Sequence, residues 1–204
     1  MTAETQRDRL IQLLQDRTLA RATELRAAGV DATTISRAVE AGAVIRVGRG
    51  LYQLPDSEMD AETTLAEASK RVPKGIICMI SALAYHGLTD QMPRKVWMAI
   101  GAKDWQPSVE YPPLRIVRFR SPYLEYGIER HVVSGVDVPI YSVPKSLADA
   151  FRNPKLIDRS VAIECLRNAV TEHKATPGEI AQAAMDCGAW KRMRPYLETI
   201  TSNG

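Results

Sequence analysis

Thr33, Thr34, Ser36 and Arg37 fall within five residues and carry the side chains that a nucleic-acid duplex is read with. A reading helix needs short polar groups that approach base edges, plus a long donor. Arg37 could fork onto guanine O6 and N7, while Thr33 and Thr34 suit phosphates or a thymine methyl. Arg46 and Arg49 follow at a spacing that suits phosphates or the minor groove. Arg17 and Arg21 could clamp backbone phosphates from the other side of the same stretch. The competing reading makes these the solvated faces of a small helical unit that binds protein.

Other chemistries find little support. His86, His131 and His173 stand apart in the sequence, and no HExxH or His/Cys cluster accompanies them, so no metal site is expected. His86, beside Tyr85 on a short apolar stretch, suits a buried, hydrogen-bonded histidine. Cys78, Cys165 and Cys187 are far apart, odd in number and without a CxxC, which argues against a disulfide framework. Cys78 lies in an apolar run and suits core packing. There is no P-loop, GxGxxG or GxSxG, hence no cofactor and no positive reason to expect an enzyme.

The elements that must position the basic residues follow from periodicity. Residues 7–16 place Leu10, Ile11, Leu13 and Leu14 on one helical face. Residues 18–28 suit a second helix, capped by Thr18, striped by Leu19, Ala22 and Leu25, and ended by Gly29. Asp31 caps a third helix over 31–42 that turns Ile35, Ala38 and Val39 inward and stops at Gly42. Val44–Val47 and Leu51–Leu54 then alternate as strands around Gly48-Arg49-Gly50, a hairpin turn. Two helices about a Gly-containing turn, followed by a hairpin, have the pattern of a winged helix-turn-helix over residues 1–56. Pro55 closes this unit, and residues 56–60 suit a short polar linker.

Residues 57–204 suit a second domain. A helix is expected near 60–71 with a break at 72–75, then an apolar run into a helix that ends at Gly87. Strands are expected at 95–100, 114–119, 128–133 and 138–142, with a Pro-rich loop at 105–113. A helical C-terminal third begins at Val143 and continues over 158–172, 177–188 and 190–199. Thr176 to Glu179 fits a capping box with Pro in the first turn. The fold class is therefore α+β, an N-terminal winged helix-turn-helix followed by a mixed domain with a small central sheet. Along 114–119, Arg118 shares a face with Arg120 and Arg115 takes the other. That charge suits either an extra surface for nucleic acid or an acidic protein, or an edge strand guarded by charge.

Bulk properties agree without deciding. The 204 residues carry a net charge of +3 and 45% hydrophobic residues, enough for a packed core. Residues 1–54 hold eight Arg and no Lys against six acids, and arginine is the better fork for phosphates and guanine edges. The scattered cysteines point to the reducing cytoplasm, while the polar start lacks an apolar signal segment and no run reaches membrane-spanning length, so no signal peptide and no membrane span are expected.

Three blocks carry a resemblance: AGVDATTISRAVEAGAVIRVGRGLYQLP (28–55), ICMISALAYHGLTDQMPRKVWMAI (77–100) and YSVPKSLADAFRNPKLIDRSVAIECLRNAV (141–170). In this order and spacing the chain resembles the AbiEi-type antitoxins of type IV toxin–antitoxin systems. The resemblance implies a repressor that binds inverted repeats in its own promoter, with two copies on one operator, and counteracts a partner toxin of the nucleotidyltransferase type. Carried onto this chain, the promoter role falls on 31–42 and the hairpin around Arg49, and the antitoxin role within 60–200. Two other readings compete. One is a stand-alone regulator whose second domain senses a ligand or oligomerises. The other is a degenerate nuclease or transferase with a DNA-targeting module.

Overall fold

The computed structural model describes residues 5–17, 19–55, 61–109 and 111–202. The chain is α+β, as its periodicities indicate. Helix α1 (Gln6–Arg17) is followed by β1 (Leu19–Arg21), α2 (Ala22–Ala27), α3 (Ala32–Glu40), β2 (Ile45–Gly48) and β3 (Leu51–Gln53). Leu10 and Leu14 of α1 pack with Leu25, Val30, Ile35, Ala38 and Val44 in one core. Gly29 and Gly42 end α2 and α3 with φ of +88° and +70°, the left-handed conformation that terminates helices.

The second helix is shorter than its periodicity predicts. Residues 19–21 are a strand, paired antiparallel with 51–53 of β3, and the helix begins only at Ala22. Its helical pattern is overridden by backbone pairing to residues about thirty positions away, a tertiary effect larger than local propensity. The expected cap Thr18 and the linker 56–60 lie outside the described residues.

Helix α4 (Ala61–Arg71) leads into a five-stranded sheet built from β4 (Ile76–Ile77), β5 (Val96–Gly101), β6 (Leu114–Phe119), β7 (Ile128–Val133) and β8 (Val136–Tyr141). The order is β6-β5-β4-β8-β7. Side chains alternate across it as the strand period requires. Val96, Met98 and Ile100 of β5 join Val138 and Ile140 of β8 under α4. Trp97, Ala99 and Tyr141 face the opposite core with α5 (Met79–Tyr85), α6 (Val143–Arg152), α7 (Arg159–Thr171), α8 (Pro177–Asp186) and α9 (Trp190–Ser202). Ser134 and Gly135, with φ of +47° and +74°, make the tight β7–β8 turn that two left-handed residues permit.

Helix α8 starts as its sequence predicts. The Thr176 hydroxyl accepts from the Glu179 amide at 3.2 Å, and the Thr176 amide donates to the Glu179 carboxylate at 2.8 Å. Thr176→Ala is expected to cost about 1 kcal/mol, read as a modest fall in the denaturant midpoint with an unchanged slope.

The strand β6 lies at a sheet edge. Arg118 donates to the carbonyls of Gly101, Ala102 and Asp104, and Arg115 stacks over the Trp97 ring at 3.9 Å. These contacts favour the edge-guarding role for two of the three arginines. Cys78, Cys165 and Cys187 are buried free thiols.

Two of the histidines are less isolated than their sequence positions indicate. His86 and His131 come within 5.9 Å, ring to ring, with Tyr85 beside both. The fold brings the C-terminal end of α5 beside His131 of β7, which sequence distance hides. His86 Nε2 donates to the Tyr141 carbonyl at 2.7 Å. Burial holds its imidazole below the usual histidine value, against the pull of that hydrogen bond. The folded state therefore binds fewer protons than the unfolded state as pH falls through about 6.5. The contribution of neutral His86 to stability is whole above that pH and is lost below it. Thermal melts from neutral to mildly acid pH should show this slope, and His86→Gln should flatten it.

Candidate nucleic-acid interface

The best-defined polar face of the N-terminal unit lies on α3. Asp31 caps it, accepting the Thr34 amide at 2.6 Å. That hydrogen bond, with a lesser pull from Arg37, holds the Asp31 carboxyl below its ordinary range. Gln6 of α1 ties the same helix start from outside. Its Oε1 accepts from the Asp31 amide at 3.2 Å and from the Thr34 hydroxyl at 3.0 Å.

Ile35 and Ala38 are buried, so the row 33, 36, 37 and 40 must face out, given helical spacing. Thr33, Ser36 and Arg37 are exposed there, and Thr34 is half-buried with its hydroxyl on Gln6. The structure thus keeps three of the four candidates on α3 open to a ligand and uses the fourth to anchor the helix. Glu40, exposed at the end of the row, is the one acid on it.

The β2–β3 hairpin follows within a few residues. Its register slips between Arg46 and Gly48, a bulge that bends the strand. Arg46 is exposed and its Nε donates to the Gly48 carbonyl at 3.2 Å. Arg49 is exposed at the turn, next to Gly50 with φ +68°. Arg17 is exposed in the last turn of α1.

Arg21 is differently placed. It stands at the junction of β1 and α2, where its amide donates to Glu24 at 2.8 Å. Its guanidinium pairs at 2.8 Å with Glu67, a buried carboxylate of α4 that also accepts from Arg71 at 2.8 Å. Lys70 of α4 reaches Glu24 at 3.1 Å. These pairs fasten the start of α2 to α4 and occupy the charge of Arg21. Sequence reasoning missed these roles of Glu67 and Gln6 because Arg21 lies 46 residues from Glu67 and the Gln6 partners lie 25 to 28 residues away, with no local pattern to mark the contacts.

Among the described residues no group of three or more His, Cys, Asp and Glu side chains could hold a metal ion, and no helix is long and apolar enough to cross a membrane.

Residues 8–55 match the family model described as transcriptional regulator, AbiEi antitoxin. The match spans α1 through the hairpin and bears out the resemblance over that stretch. The family is one of regulatory antitoxins. No curated protein matches the sequence. The fold is similar to that of the RV2827C protein from Mycobacterium tuberculosis, with a TM-score of 0.65 at 14% identity. That similarity covers 96% of this chain and 77% of the other, so it extends through the second sheet and the C-terminal helices.

Proposed function

We propose that this chain, whose residues 8–55 match the AbiEi antitoxin regulators, is a cytoplasmic DNA-binding autorepressor and antitoxin. The observation that carries the reading is the exposed row Thr33, Ser36 and Arg37 on a helix capped and tethered at its start, with Arg46 and Arg49 on the hairpin that follows. Residues 1–56 then act as a winged helix-turn-helix. Helix α3 enters the major groove of one half-site and the hairpin lies along the flanking minor groove. A second copy occupies the other arm of an inverted repeat in the promoter. Residues 57–204 form the antitoxin domain that opposes a nucleotidyltransferase toxin.

Within this reading Arg37 reads bases, Thr33 and Ser36 touch base edges or phosphates, and Arg17, Arg46 and Arg49 neutralise phosphates. Thr34 and Arg21 contribute through the tethers described above. Nuclease footprinting of the protein's own upstream region tests the proposal. Protection of both arms of an inverted repeat is expected. Uniform protection with no preferred site would contradict it. The antitoxin half is tested by co-expression with a nucleotidyltransferase toxin, where growth should be restored.

One observation favours the second reading, a regulator that senses a small molecule. A cleft with largely apolar walls lies between α4 and α5.

A further inference from the structure

We propose that the cleft between α4 and α5 binds a small aromatic carboxylate and that its occupancy reaches the β2–β3 hairpin through Tyr111. The space measures about 530 Å³, within the range of small-molecule sites. Leu65 of α4, Ala84 and Tyr85 of α5, Val96 of β5, Pro93 and Tyr111 form its walls. Two phenol rings and an aliphatic floor suit a flat aromatic body, which gains ring contacts beyond burial alone. Met92, 74% exposed, stands at the mouth. Its flexible thioether can fold over an apolar guest.

Charge decides which end of the guest lies where. Pro93 and Arg94 also line a separate depression of about 340 Å³, where Lys95 and Arg115 are the other charged lining residues. Arg94 lines both spaces and is exposed. Glu62 lines the first space, and its charge is felt by the Tyr85 hydroxyl. An anion in the cleft therefore finds Arg94 beside Pro93 and repulsion from Glu62 near Tyr85. The acid group points toward Arg94, and a guanidinium fork suits a planar carboxylate.

Tyr111 connects this cleft to the hairpin. One side of it lines the space, and its Cβ would lie only 3.1 Å from a Cβ built on Gly48. Gly48 sits where the β2–β3 register slips. A guest that displaces Tyr111 thus presses on the bulge next to Arg46 and Arg49. Ligand binding itself stands apart from the DNA-binding reading. Only the consequence for an operator rests on it.

The test is an amide-shift titration of the full chain with 2-naphthoate, its neutral alcohol analogue 2-naphthalenemethanol serving as the comparison. Naphthoate should shift the Ala84, Tyr85 and Gly48 amides saturably, and the alcohol should bind more weakly. Arg94→Gln, an exposed substitution, should weaken naphthoate about tenfold, the value of one charge-assisted contact. Equal affinity for acid and alcohol, or no loss in Arg94→Gln, would overturn the anion site. Absence of saturable shifts in the cleft would overturn binding altogether. Shifts at Ala84 with none at Gly48 would overturn the link to the hairpin. None of these readouts involves DNA, so their failure is separable from failure of operator binding.

Discussion

Lys145→Met is expected to destabilise the folded chain by about 3–5 kcal/mol, the cost of leaving one buried charge without its partner. Lys145 and Asp149 are both fully buried on α6. The ammonium donates to both carboxylate oxygens at 2.7 Å and sits 4.9 and 4.6 Å from the Phe119 and Tyr141 rings. Gly127 makes room for it, since a Cβ there would lie 2.7 Å from the Lys145 Cβ. Burial pushes the Asp149 carboxyl up despite the adjacent cation, a sign that desolvation outweighs attraction. The single variant leaves that carboxyl to protonate or to lie charged in a dry core, so its deficit should grow with pH. The double variant Lys145→Met/Asp149→Leu should recover most of the loss, because an apolar pair of similar volume carries no desolvation cost. Urea unfolding of the three proteins reads this directly. A double variant as unstable as the single one would mean that the pair contributes more than mutual neutralisation.

The second large effect is expected on DNA. Arg37→Ala should weaken binding to the preferred operator by about 1–3 kcal/mol and relax sequence preference at one position. It is exposed on the outer row of α3, and its loss leaves the buried contacts of Ile35 and Ala38 in place. Arg49→Ala, at the exposed hairpin turn, should behave differently. A phosphate contact is lost equally on every sequence, and the salt dependence flattens by about one counterion. Competition assays with operator and scrambled duplexes separate the two. An equal loss on both duplexes for Arg37→Ala would remove its base-reading role.

Much of the fold was legible where local signals agree. The strands 114–119 and 128–133 have the bounds that their alternation predicts. The starts of α3 and α8 follow from Asp31 and from the Thr176–Glu179 box. What escaped sequence reading depends on distant partners. Residues 19–21 look helical alone and become a strand only because β3 is there to pair with them. Lys145 and Asp149, four apart on a helix, have the spacing of a solvated ion pair. They are buried because the sheet and the C-terminal helices enclose α6 from several sides. Of the candidate site, the types and order of the basic residues were readable from the chain. That Arg21 would be engaged by Glu67 was not.

Operator binding is tested most directly by a gel-shift titration of the full chain against its own upstream region at two salt concentrations. A tight shift on that region is expected, weaker on unrelated duplex, with affinity falling steeply as salt rises. No preference for the upstream region at either salt concentration would contradict operator binding and leave the helix–hairpin unit as a surface for protein.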